Sequence, residues 1–416
     1  MDEILELEIR RLGASGDGIA DGPIFVAGAL PGERVRVRRI GKERARLLDV
    51  LAGARARVAA PCAHFGMCGG CAVQHLADDA YAQWKVSLVE TALAARGLAA
   101  TVEPLVRIAP GTRRRAELAA RRTPEGVLLG FHEAASAAIV DLRACHVLVP
   151  ALVRLLPALR GLLGDMLRPG ETCDLHASAA DNGIDLLVTG RSPDPRRRTA
   201  LADFAAANGI VRIAWRRNAG DTPEIVALHE APLVSVGGIP VALPPGAFLQ
   251  AAREAEAALS AEVATALAKA KRVVDLYAGL GTFSFPLAAR VHAVEGDGAA
   301  SAAMLAAARG TGRAGRITCE ARDLARRPLL PEELDDYDAA IFDPPREGAS
   351  EQARHLAASA IPLVVGVSCN PATFARDART LVDGGYELRR VVPVDQFVWT
   401  GHVELVAVFA KPKKRR

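Results

Sequence analysis

The residues that could do covalent chemistry lie near the C-terminal end of the chain. Cys369 follows an apolar stretch, PLVVGV, and stands in a Ser-Cys-Asn-Pro turn. A thiol at the end of a strand is a candidate nucleophile, and we expect the turn and a nearby positive charge to lower its pKa. Glu404 lies inside a second apolar stretch, VELVAVF, where burial would raise its pKa and suit a general base. The alternatives are a structural core cysteine and a charge on an edge strand.

A second candidate site is a cluster of cysteines. Cys62, Cys68 and Cys71 have the spacing C-x5-C-x2-C, and Cys145 follows much later in the chain. Three close thiols and a distant fourth can complete a tetrahedral zinc site or hold a 4Fe–4S cluster, and the spacing alone does not separate the two. The spacing differs from the C-x3-C-x2-C that is usual in radical S-adenosylmethionine (SAM) enzymes.

The C-terminal part of the chain is organised around residues 269–297. This stretch predicts a strand, a glycine turn, a helix from Thr282 to Arg290 and a second strand that ends at Glu295. Such a unit lets the backbone approach a nucleoside-like ligand closely. Asp275 opens the pattern D-x-x-x-G-x-G, and Glu295 follows it by twenty positions, where a carboxylate can accept hydrogen bonds from ribose hydroxyls. The spacing resembles motif I of class I SAM-dependent methyltransferases.

The stretch IFDPPREG adds a further candidate at the end of another strand. It places Asp343 where α/β sheets bind ligands, followed by a rigid pair of prolines. Methyltransferases that act on exocyclic amines carry an aromatic residue after the prolines. Arg346 occupies that position here, which argues against methylation of an amine.

The chain of 416 residues predicts an α/β protein with more than one domain. Residues 246–416 contain seven strand-like stretches, most of them separated by helical ones, and predict a doubly wound sheet. The last two strands follow each other directly, as at the antiparallel edge of class I methyltransferases. Residues 1–57 predict a small β-barrel, since short strands of period-two alternation are separated by glycine turns. Residues 58–245 predict an α+β domain that carries the cysteines, with helices over 78–98 and 147–168.

Composition points to a nucleic-acid partner. The formal net charge is only +4, but the basic residues are clustered. The clusters are Arg36–Arg46, Arg113–Arg115, Arg121–Arg122, Arg196–Arg198, Arg216–Arg217 and the tail KPKKRR. The N-terminus is acidic and lacks an apolar run, so we expect no signal peptide. No uninterrupted apolar run is long enough to span a membrane, so we expect no membrane span and a cytoplasmic location. We also expect a monomer.

Two resemblances extend this interpretation. Residues 11–39 resemble a TRAM domain, an RNA-binding appendage of RNA-modifying enzymes. Nearly the whole chain resembles the uracil-5 RNA methyltransferase family. That resemblance rests on the four cysteines, FLQ at 248–250, DLYAGLGTF, VEG, DPPR, SCNP and HVE.

The family resemblance implies roles for individual residues. It implies transfer of a methyl group from SAM to carbon 5 of a uridine in structured RNA. Ribosomal RNA is the first expectation for the substrate and transfer RNA the second. Cys369 would be the nucleophile and Glu404 the base. Phe248 would stack near the target base. A 4Fe–4S cluster would be held by Cys62, Cys68, Cys71 and Cys145. The contacts to SAM would come from Gln250, Tyr277, Thr282, Glu295, Asp323 and Asp343.

Departures from the family pattern bear on the finer substrate contacts. The family commonly has Asn where Ala252 stands, and Pro-His where Val398-Trp399 stand. The rival hypotheses are an RNA cytosine-5 methyltransferase, a non-catalytic RNA-binding protein and a radical SAM enzyme. The first also uses a cysteine adduct but needs a donor to the cytosine ring nitrogen. The second needs neither Cys369 nor Glu404, and the third needs a reductant.

Overall fold

A computed structural model describes residues 3–194 and 197–412, and the elements below are those within these ranges. Arg196 of a predicted basic run and residues 413–416 of the basic tail lie outside the described residues. In the described part of the chain, no helix is long and apolar enough to cross a bilayer.

The N-terminal strands close into a barrel, as the sequence predicts. They are β1 (Ile4–Leu12), β2 (Gly18–Ala20), β3 (Ile24–Val26), β4 (Arg34–Arg39) and β5 (Arg44–Ala52), in the order β1-β2-β3-β5-β4. Val35 and Val37 of β4 are fully buried, whereas Arg34 and Arg36 beside them face solvent. The alternation therefore separates a packed interior from a basic exterior. The sequence did not predict β2, which is too short to show a period.

The chain then forms the cysteine loop, residues 58–77, which consists of turns. Helix α1 (Asp78–Ala94) follows and confirms the predicted helix over 78–98. The chain leaves the helix at Gly97, whose φ of +62° is readily adopted only by glycine. A short strand, β6 (Thr101–Val102), comes next.

The central part is a mixed sheet covered by two helices. Its strands are β7 (Arg115–Thr123), β8 (Gly126–Gly130), β9 (Thr172–Ala179), β10 (Ile184–Thr189), β11 (Ile210–Arg216) and β12 (Glu224–Leu228). Their order is β12-β11-β10-β9-β7-β8. The helices are α2 (Pro150–Met166) and α3 (Arg198–Ala207). A hairpin of β13 (Leu233–Val236) and β14 (Ile239–Ala242) follows.

The C-terminal part is the predicted doubly wound sheet. Its strands are β15 (Arg272–Leu276), β16 (Arg290–Glu295), β17 (Ile317–Ala321), β18 (Ala339–Phe342), β19 (Leu363–Ser368), β20 (Glu387–Val394) and β21 (Glu404–Ala410). The helices are α4 (Arg253–Ala266), α5 (Gly298–Gly310), α6 (Pro331–Leu334), α7 (Ser350–Ala358) and α8 (Pro371–Asp383). The order is β17-β16-β15-β18-β19-β21-β20-β6, and the last strand of the chain is inserted antiparallel between β19 and β20.

The C-terminal sheet includes a piece of the chain from before residue 246. Strand β6 pairs in parallel with β20, with Thr101 opposite Arg390. Helix α1 packs on α8, and its Val89 and Leu93 join the core beneath the sheet. The division at 57 and 245 stays a prediction, and the structure adds that residues 78–102 pack with the C-terminal part.

The helix predicted from Thr282 to Arg290 is wrong. All of these residues are described: Thr282 to Pro286 form turns, residues 287–289 have no regular structure, and Arg290 already belongs to β16. One helical hydrogen bond forms, from the N–H of Phe285 to the carbonyl of Gly281 at 3.0 Å. Pro286 lacks the N–H that the next such bond would need, so the helix does not continue.

Residues 395–403, which we term the 395–403 loop, join β20 to β21 and are anchored by α1. Lys85 Nζ lies 2.8 Å from Asp395 Oδ1, and both side chains are buried. The hydroxyl of Tyr81 donates to Asp395 Oδ2 at 2.7 Å. Lys85 also donates to the carbonyls of Phe397 and His402, so one ammonium holds both ends of the loop.

The same loop contacts two other parts of the molecule. The N–H groups of Ala72 and Val73 in the cysteine loop donate to the carbonyl of Trp399 at 2.8 and 3.1 Å. Gly401 lies against the barrel, where an added Cβ would meet the carbonyl oxygen of Ala14 at 1.9 Å. The barrel, the cysteine loop and the C-terminal sheet therefore meet at the 395–403 loop.

We predict that Lys85→Met lowers stability by about 3–5 kcal/mol, because it leaves the Asp395 carboxylate buried without its cation. The measurement is the thermal unfolding midpoint followed by circular dichroism. Arg10→Met, which breaks an exposed pair with Asp21, is the control and should change the midpoint little. Equal midpoints for the two variants would contradict an anchoring role for Lys85.

Candidate active site

The carboxyl ends of neighbouring strands meet at one edge of the C-terminal sheet. Leu276 at the end of β15 lies opposite Phe342 at the end of β18, which in turn pairs with Gly366 of β19. Asp343 and Cys369 directly follow β18 and β19. The topology thus brings together residues that are far apart in sequence, at the place where open α/β sheets bind ligands.

Cys369 and Glu404 occupy adjacent positions on paired strands. Ser368 of β19 lies opposite Leu405 of β21, so the next residues outward are Cys369 and Glu404. The two side chains interact electrostatically, and Asp343 and Arg346 also act on the thiol. The candidate nucleophile and the candidate base therefore lie together at one edge of the sheet.

The expected lowering of the Cys369 pKa is wrong for this structure. Burial, assisted by the Glu404 and Asp343 carboxylates, raises the pKa of the thiol to about 11. The Arg346 guanidinium acts in the opposite direction but does not prevail. The sequence does not show the two carboxylates beside the thiol, because only the sheet brings them to it.

Glu404 is an interior residue, so the edge-strand alternative does not apply. Strand β21 is flanked by β19 and β20, and Glu404 is only 3% exposed. Burial raises its pKa to about 7, while a hydrogen bond from Gln396 and the charge of Arg115 act to lower it. The carboxyl group can therefore both accept and release a proton near neutral pH.

Gln396 is a site residue that the sequence analysis missed. Its Nε2 donates to Glu404 Oε2 at 2.9 Å and to Gln250 Oε1 at 2.8 Å, and its Oε1 accepts from the N–H of Ala251 at 2.8 Å. The available signal was an amide directly after Asp395 at the end of an apolar strand, because a buried amide requires partners.

The glycine turn after β15 is held by Glu295. The N–H of Gly279 donates to Glu295 Oε2, and the N–H of Asp297 donates to Oε1, both at 2.7 Å. The preceding Tyr277 has a φ of +66°, a left-handed conformation unusual for an aromatic residue. Each carboxylate oxygen retains further acceptor capacity for a ligand hydroxyl. Glu295 thus lies where the sequence places it, at the carboxyl end of β16.

Asp275 lies beneath the turn. It is fully buried, and Ser284 donates to its Oδ2 at 2.6 Å. Within residues 3–194 and 197–412, its Oδ1 has no hydrogen-bond partner. Burial, with a smaller effect of Glu295, raises its pKa to about 7. Asp275 therefore supports the turn from below.

The other predicted SAM-contacting residues surround the same edge. Gln250 is buried and bonded to Gln396, and Asp343 has a pKa well above its usual range because of burial and the nearby Glu404. Thr282 lies in the turn segment, where its carbonyl accepts from Ser260. Asp323 follows β17, and its carboxylate accepts from the N–H of Ala325 at 3.0 Å. Their contacts to SAM stay predictions.

The three consecutive arginines after residue 112 have different environments. Arg114 is buried and donates to Glu256 and to the carbonyl of Gln250, which joins the central sheet to α4. The guanidinium of Arg115 lies 4.7 Å from the ring centre of Phe248, which is 60% exposed. Arg113 lines the cysteine cavity. This run is therefore a junction rather than a single RNA-facing patch.

The four predicted metal-ligand cysteines line one cavity of about 210 Å³. Burial raises the pKa of Cys71 to about 12, with the neighbouring thiols adding to the effect. The N–H of Gly70 donates to Cys68 Sγ at 3.4 Å. In the ranges 3–194 and 197–412, no group of three or more His, Cys, Asp or Glu side chains has an arrangement that could hold a metal ion. The topology thus gathers the four thiols without forming a ready site for one ion.

Relatives of the chain establish its family. It is 43% identical to an uncharacterized RNA methyltransferase of Mesorhizobium japonicum, covering 98% of each chain. It is 37% identical to the 23S rRNA (uracil(1939)-C(5))-methyltransferase RlmD of Halomonas elongata, over 99% of this chain and 90% of the relative. A family model described as tRNA (uracil-5-)-methyltransferase matches residues 317–412. The chain belongs to the RNA uracil-5 methyltransferase family. The expected family and the expected class of SAM-dependent enzyme are confirmed.

A solved structure confirms the fold of the enzyme. The tRNA (uracil-54, C5)-methyltransferase of Pyrococcus abyssi, in complex with S-adenosyl-L-homocysteine, matches with a TM-score of 0.75. The match covers 98% of this chain and all of the other, at 23% identity. The predicted combination of an N-terminal barrel, a central α+β part and a C-terminal α/β sheet is therefore confirmed.

We predict that Glu295→Ala weakens SAM binding by about 1–3 kcal/mol, because the variant loses a charged acceptor and releases the N–H of Gly279. Isothermal titration calorimetry measures the affinity. Glu320→Ala, on the neighbouring strand β17, is the control and should bind as the parent does. An unchanged affinity in Glu295→Ala would move the ribose site elsewhere.

Proposed function

We propose that the enzyme transfers a methyl group from SAM to carbon 5 of a uridine in ribosomal RNA through a covalent adduct with Cys369. The observation that carries the proposal is the adjacency of Cys369 and Glu404 at the ends of β19 and β21. The similarity to RlmD over nearly the full chain favours ribosomal RNA. The family model, which names transfer RNA, keeps that substrate as the alternative.

The chemistry explains why a thiol and a carboxylate are both needed. Carbon 5 of uracil is by itself a weak nucleophile. Addition of the Cys369 thiolate to carbon 6 forms an enolate, which makes carbon 5 nucleophilic. Carbon 5 then takes the methyl group of SAM and S-adenosylhomocysteine leaves. Loss of the proton from carbon 5 restores the double bond and expels the thiolate.

Glu404 suits the removal of that proton. With a pKa of about 7, it is substantially ionised at neutral pH and is a stronger base than an ordinary carboxylate. The same carboxylate disfavours the free thiolate of Cys369. We infer that Cys369 remains a thiol in the free enzyme. It loses its proton only when the target uracil is bound beside Arg346.

The RNA-facing surface combines an aromatic platform with basic residues. The Arg115 guanidinium lies over one face of the Phe248 ring. The pair therefore forms a planar surface beside the active site. On the barrel, Phe25, Ile40, Lys42 and Arg44 line a groove of about 740 Å³, which Asp17 and Glu43 also line. Aromatic and cationic groups in one groove suit stacked bases and phosphates. The target base must leave its stack to reach Cys369.

We propose that the cysteine cavity holds a 4Fe–4S cluster rather than a single ion. Four thiols and an N–H directed at a sulfur match the donor set of such a cluster, whose own iron and sulfide atoms separate the cysteines. Cys62, Cys68, Cys71 and Cys145 would hold it. Because the cysteine loop donates to Trp399, we propose that the cluster stabilises the 395–403 loop as well.

We predict that Cys369→Ala and Glu404→Gln fail at different steps. Cys369→Ala should form no RNA adduct and transfer no methyl group. Glu404→Gln should add and methylate but stall before elimination, so that a denaturant-stable band carrying label from SAM accumulates. RNA containing 5-fluorouridine should trap the parent enzyme at the same stage.

Controls separate these effects from loss of folding. Cys173→Ala removes a buried thiol from the central core and should retain adduct formation. If neither active-site variant changes adduct chemistry, the covalent mechanism is wrong. Methylation of cytidine rather than uridine in the same RNA would favour the cytosine-5 alternative. If Glu404→Gln turns over normally, His402 is the next candidate for the base that removes the proton.

We predict that protein purified without oxygen is brown and contains about four irons per chain. Cys62→Ser should lose the iron and much of the soluble protein, because the central part loses its cross-link. Cys319→Ser, at a half-buried cysteine on β17, is the matched control and should retain iron. Elemental analysis gives the result, and stoichiometric zinc with no iron would contradict the prediction.

A further inference from the structure

Gln396 stands between the candidate base and the candidate cofactor-binding residue Gln250. Its side chain is only 3% exposed, and each of its polar atoms has a partner. One nitrogen donates to both Glu404 and Gln250, at 2.9 and 2.8 Å. An amide nitrogen has two hydrogens, so these bonds use its full donor capacity.

The orientation of the amide is fixed by its neighbours. The N–H of Ala251 can only donate, so the atom that faces it must be the Gln396 oxygen. The opposite orientation would also place that oxygen against two acceptors, Glu404 Oε2 and Gln250 Oε1. The network therefore assigns the nitrogen to the side of Glu404.

The backbone at Gln396 is equally constrained. The preceding Asp395 is held by Lys85 and Tyr81, and its N–H donates to the carbonyl of Val106 at 2.9 Å. The N–H of Gln396 donates to the carbonyl of Val394 at 3.0 Å. The amide is therefore presented from a rigid position before any substrate arrives.

We propose that Gln396 is a positioning residue that keeps the Glu404 carboxylate ionised and oriented for proton removal and links it to the cofactor side through Gln250. This inference rests on the proposed role of Glu404. Because Gln250 Oε1 is occupied by Gln396, the Nε2 of Gln250 is the donor that remains for a cofactor. The side-chain amide of Gln396 thus contacts both Gln250, the candidate cofactor-binding residue, and Glu404, the candidate base.

The other groups that face Glu404 come from three elements. Arg115 of β7 stabilises the carboxylate, whereas Asp343 after β18 and Cys369 after β19 become more costly to ionise beside it. Arg115 acts through its charge alone, and the hydrogen bond from Gln396 has the larger effect of the two on the carboxylate. Loss of Gln396 should therefore change the pH at which Glu404 becomes ionised.

The test is the pH dependence of product release from the methylated adduct in single turnovers. In the parent, release should increase as pH rises through about 7, because the carboxylate is the active form. In Gln396→Met, we expect the midpoint to move upward by about one unit, so that release at pH 7 falls about five-fold and recovers at higher pH. The affinity for SAM should also fall.

A second variant and a matched control keep the test decisive. Gln396→Glu retains the shape and an acceptor for Ala251 but places a second carboxyl beside Glu404, which should also raise the midpoint. Gln352→Met removes a buried glutamine that bonds only the backbone of Leu329 in the described residues, and its midpoint should equal that of the parent. The thermal unfolding midpoints of all three variants report folding.

Two outcomes would overturn the proposal, and they differ. If Glu404→Gln stalls as an adduct but Gln396→Met releases product with the parental midpoint, the proposed function stands and the role of Gln396 is wrong. If Glu404→Gln turns over normally, the proposed role of Glu404 fails, and the role of Gln396 fails with it.

Discussion

The buried pair of Lys85 and Asp395 is the interaction on which the rest of the arrangement depends. Lys85 comes from a helix before the central sheet, and Asp395 follows a strand of the C-terminal sheet. Burial lowers the pKa of the lysine, and Asp395 opposes that effect. A buried pair is not by itself a large source of stability, but loss of one partner is costly. The pair therefore specifies where the 395–403 loop lies.

The position of this loop determines several contacts at once. Its Trp399 accepts hydrogen bonds from the cysteine loop, and its Gly401 lies against the barrel. It carries Gln396 and ends directly before Glu404. The loop therefore connects the N-terminal barrel, the cysteine cavity and the candidate base, although these belong to different parts of the chain. Such a connection lets each part influence the position of the carboxylate.

The active-site edge concentrates acidic groups in a poorly hydrated place. Asp275, Asp343 and Glu404 all have raised pKa values, with burial as the largest cause. Because burial makes ionisation of these carboxyl groups costly, the cluster is suited to hold protons and to bind a ligand that carries positive charge. A sulfonium such as that of SAM matches this character, since a cation near the carboxylates reduces the cost of ionising them.

Much of the fold follows from local patterns in the sequence. The seven strands of the C-terminal sheet that follow residue 246, the barrel and the helix over 78–98 agree with the expectations, because their apolar periods and turn residues are strong local signals. The short β2 and β6 were missed, since strands of two or three residues have no measurable period. The helix predicted at Thr282–Arg290 failed because a single proline outweighed the favourable residues around it.

The sequence by itself determined which side chains are available, including Cys369, Glu404 and the four cysteines, and the family resemblance that gave them roles. Only the tertiary structure decided their neighbours. It placed β21 inside the sheet, buried the Cys369 thiol and brought Glu404 and Asp343 to it, and so raised the Cys369 pKa, where the local sequence indicated the reverse. It also placed Gln396 between Gln250 and Glu404, a contact across about 150 residues of chain. The physical reason is that a pKa depends on burial and on charges in space, and strand order, which local sequence does not encode, sets both.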